Sequence, residues 1–415
     1  MDNLLVKNIN DIKPILNNIN WSFYPKPPVF KDVIQPFNSR KYHWYPATYI
    51  PEIPYSLIEV LTEPKAKVFD PFMGIGTTFF QALILGRIPI SNDVSKISYN
   101  FVNCLFNLFN PEIDLSIIKE EIENEISKYN QDKNYLKLII SDNKHIEELQ
   151  KWFTPINFNV ICFFITIKDS QTDGIKKSIY NIIVSSLLNS CSNQDRGMSC
   201  IADNMLPKIY QLRDADVYKT FKSNLKSLFN DIENTKKLLP INYNSIYTDL
   251  LNQTVVYNND ISESCHIEIE SIDIVISSPP YPNMIDYTTS QRLAYYYYGF
   301  DLDVEKKLEI GARYRRNVKT SLSDYFDKMN KANENIVKTL KKGGLLCYIM
   351  PSFNSDNDKN IDRKKVIQRV MANLEENLNM LKELEIERTV PALRRTHNSK
   401  WTTLEKEIIF IYRKM

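Results

Sequence analysis

Short apolar runs that stop at polar or glycine-rich tips occupy both ends of this chain, while long stretches of 3.6-residue periodicity occupy its middle. "AKVFD" (66–70) reads as a short buried strand. It runs into "PFMGIGTT", an apolar helix "TTFFQALILGR", and a second short strand, "IPISND", ending at Asp93. Strand, glycine loop, helix, strand is the opening of a doubly wound α/β fold. Upstream, "IPYSLIEVLTEP" predicts a short helix with Ile53, Leu57, Val60 and Leu61 on one face, and residues 1–50 read as an irregular aromatic arm packed on a domain. From about 111 to 239 the pattern turns helical. "LSIIKEEIENEISKY" carries Ile118, Ile122 and Ile126 at i+4 spacing. "DVYKTFKSNLKSLFNDIENTKKLL" carries Val217, Phe221, Leu225, Leu228 and Ile232 on one stripe. The α/β pattern then resumes. "TVVYNND" predicts a strand ending at Asp260, and "SIDIVISS" a strand ending at Ser-Pro-Pro-Tyr. "SDYFDKMNKANENIVKTLKKGG" predicts a helix with a glycine stop, "LLCYIMPSF" a strand, and "EKEIIFIYRK" a last strand of alternating character. No internal repeat is visible.

Asp70, Asp93, Asp260 and Ser278 each fall at or just past the carboxyl end of a predicted strand. In an open α/β sheet that edge binds ligands. One polar tip is ordinary; four on one edge point to a site. Gly74 and Gly76 allow a tight turn and close approach of the backbone to a ligand. The helix that follows offers N–H groups suited to the carboxylate of a small ligand. The loop lacks the Lys of a phosphate-binding GxxxxGK[ST] loop, and Phe79 stands where GxGxxG needs its third glycine. A plain tight turn would also explain it. Asp93, 23 residues after Asp70, stands where an acidic residue takes ribose hydroxyls in such folds, although a solvated strand end or a helix cap would look the same, as it would for Asp260. At the fourth tip, Pro279 and Pro280 have no N–H to give, so the corner offers acceptors: their carbonyls and the Ser278 hydroxyl oxygen. Tyr281 can cover a flat ring. A substrate with an exocyclic amine on a nucleobase meets both conditions.

Composition narrows the class. The chain has 415 residues, 43% hydrophobic and 25% charged, so it is globular and large enough for one large or two ordinary domains. A net charge of +2 requires that any contact with nucleic acid come from a local basic surface. Six cysteines form no CxxC pair and are joined by only four histidines, which argues against a metal site and for buried free thiols in a reducing cytoplasm. "MDNLLVKNINDIKP" has no apolar core of a secretory signal, and no apolar run is long enough to span a membrane. The abundance of Ile, Asn and Lys hints at an AT-rich, bacterial genome.

"DPFMGIGTT" together with "SSPPY" closely resembles the paired motifs of S-adenosylmethionine-dependent DNA amino-methyltransferases, which methylate adenine N6 or cytosine N4. The resemblance covers about 43–100 and 255–350 well, and the block between them poorly. It implies a Rossmann-like α/β methyltransferase sheet in which Asp70, Pro71, Phe72, Gly74, Gly76 and Thr77 cradle the methionine end of the cofactor. Asp93 would hold its ribose and Asp260 would lie near its adenine. "HWYPATYIP", with Tyr45, resembles the family's segment that completes the pocket. Ser278, Pro279 and Pro280 would accept from the target amine of a flipped base, and Tyr281 would stack on it. The implied organisation is an arm and cofactor half at 1–110, an inserted helical target-recognition region at 111–250, and a catalytic half at 251–415. The cofactor motif precedes the catalytic motif by about 200 residues. In members with that order the segment between them reads the DNA, and the "CSNQDRGMSC" loop is a candidate part of it.

Cytosine-N4 members usually carry Ser at the first catalytic position, and adenine-N6 members more often Asp or Asn, so Ser278 favours cytosine N4 with adenine N6 as the alternative. The run "TSQRLAYYYYGF" fits core packing better than a platform for bases. Two basic loops, "EIGARYRRNVK" (Arg313, Arg315, Arg316, Lys319) and "PALRRTHNSK" (Arg394, Arg395), are candidate clamps on the phosphates of double-stranded DNA or else solvated loops. The family also implies a cognate restriction endonuclease as a genetic partner and no metal. Pro-Pro-Tyr motifs in methyltransferases of RNA bases and glutamine side chains usually follow Asn or Asp, which sets those substrates, and a non-catalytic DNA-binding relative, behind the DNA reading.

Overall fold

A computed structural model describes residues 4–23, 37–131, 144–194, 207, 216–239, 243–252, 255–353, 358–391 and 405–415. Among them, seven strands form one sheet: β1 (Lys67–Asp70), β2 (Ile88–Asn92), β3 (Val256–Tyr257), β4 (Ile272–Ser277), β5 (Leu340–Ser352), β6 (Met380–Thr389) and β7 (Lys406–Lys414). Their order is β3-β2-β1-β4-β5-β7-β6. The ladders from β3 through β5 are parallel, and β7 runs antiparallel to both β5 and β6. This is the Rossmann-like doubly wound sheet that the motifs led us to expect. The strand order reverses between β1 and β4, and the carboxyl ends of those strands part around a crevice.

The period of two along each strand divides the apolar residues between two layers. Val68, Ile274, Ile276, Leu345, Cys347 and Ile349 pack against Ile53, Leu57 and Leu61 of the helix Glu52–Leu61. Phe69, Val275, Leu346 and Tyr348 pack on the opposite side against Ile336 and Met371, from the helices Ser321–Thr339 and Asp358–Glu376. One charge lies within the β4 run. Asp273, buried, pairs with Lys341 Nζ at 2.9 Å and accepts from Leu5 N and Lys67 N at 3.0 and 2.8 Å. Lys341→Met would leave that carboxylate without its counter-ion. It is expected to lower stability by about 3–5 kcal/mol, read as an earlier denaturant midpoint.

The block between the motifs is helical where it is described: Leu115–Gln131, Ile146–Gln150, Pro155–Ser170, Gly174–Cys191, Val217–Lys236 and Tyr243–Leu251. Its core is continuous with that of the helices Thr77–Ile84 and Lys96–Asn107. Phe79, Phe80 and Phe101 share one cluster with Phe164, Tyr180 and Phe221, and Phe164 stacks on Phe221 with centroids 4.2 Å apart. Ile122 and Ile126 are buried there, and Ile118 is half-buried. The helices Pro155–Ser170 and Gly174–Cys191 bury residues on nearly every face, so they serve as scaffold.

Several expectations change. The N-terminal arm contains a helix, Ile9–Asn18, held by buried Ile9, Ile12 and Leu16 at helical spacing. On the helix Glu52–Leu61, Val60 is only partly buried. The ladder of β3 ends at Tyr257, and Asp260 lies in a turn beyond it, its Oδ1 accepting from Ser262 N and Oγ at 2.9 and 2.6 Å. The glycine pair does not stop a helix. The helix ends at Thr339, and Gly343 and Gly344 lie inside β5. Gly343 takes φ +80°, and a Cβ on Gly344 would come within 3.0 Å of the Asp273 carbonyl. β7 is not half-exposed. Ile409 to Tyr412 are all buried because the strand is interior and covered on both faces. β6 was not foreseen: "MLKELEIERT" is charged along a sheet edge.

Among the described residues no helix is long and apolar enough to cross a membrane, and no group of three His, Cys, Asp or Glu could hold a metal ion. The five described cysteines are free.

Candidate functional site

At the carboxyl ends of β1, β2 and β4 the chain encloses an open cleft. Its floor is the loop after β1. Gly74 (φ +52°) and Gly76 (φ +76°) both take left-handed backbone, which glycine adopts without strain. The loop is pinned to β2 by Met73 N donating to Asn92 O at 3.0 Å and by Gly74 N donating to Asp93 Oδ2 at 2.8 Å. Asp93 Oδ1 accepts from Ser95 N at 2.8 Å. A Cβ on Gly74 would press the Tyr45 ring at 3.2 Å, so the glycine admits that ring over the loop. Tyr45 stacks on Tyr287, centroids 5.7 Å apart. Pro71, Phe72, Gly74, Thr77, Asp93, Asp260 and Tyr45 all line the cleft, as do Ser278 and Pro280.

Asp70 and Gly76 behave differently. Neither lines the cleft. Asp70 is buried beneath the loop, where Oδ1 accepts from Ser277 Oγ at 2.6 Å and Phe72 N at 3.1 Å. It ties the first motif to the strand that carries the second. Gly76 packs inward; a Cβ there would meet Phe80 and Val102 at 3.0 Å. Both shape the cradle from behind.

The Ser-Pro-Pro-Tyr tip is also divided. Ser278 and Pro280 face the cleft, while Pro279 and Tyr281 are not among its lining residues. The Pro280 carbonyl already accepts from Tyr325 Oη at 3.0 Å. Tyr281 is 6% exposed. Its hydroxyl donates to Glu407 Oε1 at 3.2 Å and accepts from Ser278 Oγ at 3.2 Å. The ring is therefore packed under the tip and not offered to solvent as a free platform, because its hydroxyl finds partners on β7. Burial, reinforced by Glu407, pushes that hydroxyl's pKa well above the usual tyrosine value.

The cleft is acidic, and part of that acidity was missed in the sequence. Glu305 and Glu309 line it along with Asp93 and Asp260. Glu309 accepts from Thr288 N at 2.5 Å and Tyr287 N at 3.2 Å, and burial raises it to about 7. Glu305 Oε2 accepts from Tyr295 Oη at 2.6 Å and Lys96 N at 3.1 Å. Burial raises Asp93 to about 6 against the two backbone N–H bonds that lower it, with Asp70 and Glu305 adding repulsion. Asp70 is likewise raised to about 6 by burial. The signal in "VEKKLEIGA" was two glutamates four residues apart beside a glycine. Gly311 (φ +67°) seats this segment on the Ser-Pro-Pro-Tyr tip, where Asn283 N donates to its carbonyl at 2.8 Å. In the tyrosine run, Tyr295 and Tyr297 are buried as expected of core.

The first basic loop lies beside the tip. Arg316 and Lys319 are exposed and Arg313 half-buried, while Arg315 pairs with Asp324 at 2.5 Å. The structure adds Arg363, whose Nη2 donates to Asn283 O at 2.9 Å. Burial lowers its pKa, and repulsion from Arg316 and Arg313 lowers it further, which places three guanidinium groups together. Arg394, Arg395 and residues 195–200 of the "CSNQDRGMSC" loop lie outside the described residues.

A family model described as DNA methylase matches residues 17–104. Three curated relatives are similar over longer stretches. The Type II methyltransferase M.BsoBI of Geobacillus stearothermophilus is 26% identical over 300 residues, covering 65% of this chain and 54% of that protein. M.MvaI of Kocuria varians is 24% identical over 355 residues, covering 80% and 74%. M.MjaII of Methanocaldococcus jannaschii is 20% identical over 400 residues, covering 79% and 73%. The chain thus spans about half the length of the first of these relatives.

Proposed function

We propose that this chain, a relative of the N4/N6 DNA methylases that the family model describes, transfers a methyl group from S-adenosylmethionine to the exocyclic amine of a base flipped out of double-stranded DNA, with cytosine N4 as the target. The observation that carries this reading is the single cleft shared by the glycine loop and the Ser-Pro-Pro tip. Four carboxylates in that cleft, Asp93, Asp260, Glu305 and Glu309, suit a cationic cofactor that also bears ribose hydroxyls. Pro71, Phe72, Gly74, Thr77 and Tyr45 would hold its apolar and backbone-facing parts, with Asp70 and Gly76 shaping the loop from beneath. Bound there, S-adenosylmethionine would supply an electrophilic methyl group.

The rest of the work falls to the chain. An exocyclic amine on a nucleobase has its lone pair delocalised into the ring and is a weak nucleophile. Ser278 Oγ would accept one of its hydrogens and help turn the lone pair toward the methyl, and a second bond to the Pro279 carbonyl would require that carbonyl, which does not line the cleft, to turn into it when the base enters. Acceptors fixed in advance need no reorganisation at the transition state, and holding both reactants in one cleft removes much of the entropic barrier. Stacking by Tyr281 would require its ring to be uncovered when the base enters. Arg313, Arg316, Lys319 and Arg363 would hold phosphates beside the tip, with Arg394 and Arg395 proposed as a second contact. The recognition role of 111–250 and the pairing with an endonuclease belong to the same proposal.

Two experiments test it. In DNA from a host without other methyltransferases, expression is expected to yield N4-methylcytosine, detected by nucleoside mass spectrometry. N6-methyladenine would keep the enzyme and refute the base, and an unmodified genome with folded, cofactor-binding protein would overturn the reading. Cofactor affinity should also depend on pH. Asp93 at about 6 and Glu309 at about 7 are charged above those values and neutral below them. A cation favours the charged forms, so affinity is expected to rise as pH climbs through 6 to 7 and then level off, with proton release visible by calorimetry in buffers of different ionisation enthalpy.

A further inference from the structure

Behind the catalytic tip a chain of polar side chains crosses three strands of the sheet. Ser278 Oγ donates to Tyr281 Oη at 3.2 Å, and Tyr281 Oη donates to Glu407 Oε1 at 3.2 Å. Glu407 Oε2 is paired with Arg388 Nη1, and Arg388 Nε donates to Trp21 O at 3.0 Å. Arg388 on β6 and Glu407 on β7 are directly opposite in the ladder, and both side chains are largely buried, at 3% and 12% exposed.

A carboxylate has no hydrogen to give. The Tyr281 hydroxyl faces Glu407 Oε1 at 3.2 Å and the Ile349 carbonyl at 3.5 Å, and neither has a hydrogen to give, so the Tyr281 proton points to them, the carboxylate being the nearer, and the Tyr281 oxygen is left as an acceptor. The Ser278 hydroxyl has one proton, and it is committed to that oxygen. What Ser278 Oγ presents to the cleft is then lone pairs alone. A serine hydroxyl otherwise rotates freely and can meet an amine with its own hydrogen. Here a residue on the last strand, far from the cleft in sequence, fixes which way it points.

We infer that Glu407 is a positioning residue that sets the polarity of the Ser278 hydroxyl through Tyr281, so that Ser278 acts as an acceptor for the amine, with Arg388 holding Glu407 in register. This rests on the proposed amine methylation, and it assigns Tyr281 a role for its hydroxyl distinct from stacking.

Glu407→Gln tests the polarity with the shape kept. Its amide can donate to Tyr281 Oη and removes the carboxylate acceptor; only the longer contact with Ile349 O then holds the tyrosine proton, which is free to turn to Ser278 and send the Ser278 hydrogen into the cleft. The expected result is a fall of about tenfold to a hundredfold in the single-turnover rate, with KM for DNA and Kd for cofactor within about twofold. Tyr281→Phe keeps the ring and removes the link. If stacking were the only role of Tyr281, this variant would keep the full rate; the inference expects a loss comparable to that of Glu407→Gln. Because both changes break one chain, the double variant should be no slower than the worse single one. Thermal melting separates these effects from unfolding. A Tyr281→Phe protein at wild-type rate would overturn the inference whether or not Glu407→Gln folds, and so would losses that multiply in a folded double variant. Absence of transfer by the wild-type chain would instead bring down the functional reading and the inference with it.

Discussion

Replacing Ser278 by alanine is expected to slow methyl transfer about a hundredfold while leaving cofactor affinity within about twofold of wild type. Ser278 faces the cleft, and its one proton is occupied by Tyr281. Its oxygen is therefore an acceptor at no cost in reorganisation when the amine begins to bond to carbon. Losing one preorganised hydrogen bond at a reacting centre lowers kcat by about 10²–10³ where it has been measured in other enzymes. The ground-state complex loses less, because the amine hydrogens become better donors only as nitrogen acquires positive charge. The measurement is a single-turnover rate beside a cofactor titration. A wild-type rate from folded Ser278→Ala protein would remove the serine from the mechanism and leave the acceptor role to the Pro279 carbonyl alone.

Asp93→Ala is expected to weaken cofactor binding by about a hundredfold, from two losses that act together. The first is geometric. The carboxylate holds Gly74 N at 2.8 Å and Ser95 N at 2.8 Å, so its removal frees the glycine loop and orphans two backbone donors. The second is electrostatic, since one of four cleft carboxylates disappears. The effect on stability should be smaller than the effect on binding. Burial raises Asp93 to about 6, above its unfolded value, so the group binds protons more tightly in the folded state. Between its unfolded and folded values stability falls as pH rises, and at neutral pH the ionised group opposes folding. Part of what alanine loses in hydrogen bonds it regains by relieving that burden. Calorimetric titration and a denaturant midpoint on the same variant separate the two. Unchanged affinity would remove Asp93 from the cofactor site.

Legibility in the sequence followed locality. β1, the glycine loop and the strand ending in Ser-Pro-Pro-Tyr are short continuous signals whose chemistry is carried by neighbours in the chain, and the structure brings most of their residues to one cleft. Asp70 and Gly76 were read as ligand-facing because proximity in sequence cannot distinguish the front of a loop from its back. Their packing is set by Ser277 and Phe80, which contact them only after folding. Glu305, Glu309 and Arg363 escaped notice because charged residues on helices and loops look like solvated surface until tertiary contacts cover them. β6 escaped because an edge strand carries charges that blunt its periodicity. Glu407 was invisible for the same kind of reason. Its partner, Tyr281, is 126 residues away.

The position of β7 also bears on how the molecule comes into being. The strand between β5 and β6 is the one made after both. While it is still in the ribosome, β5 and β6 each expose an unpaired edge, and a growing chain with open edges is prone to pair with a neighbour. Tyr281 meanwhile lacks the carboxylate that orients it. On the proposed reading, the glycine loop can therefore be in place before the Ser-Pro-Pro-Tyr tip is oriented, so a nascent chain would hold the cofactor before it could act on a base.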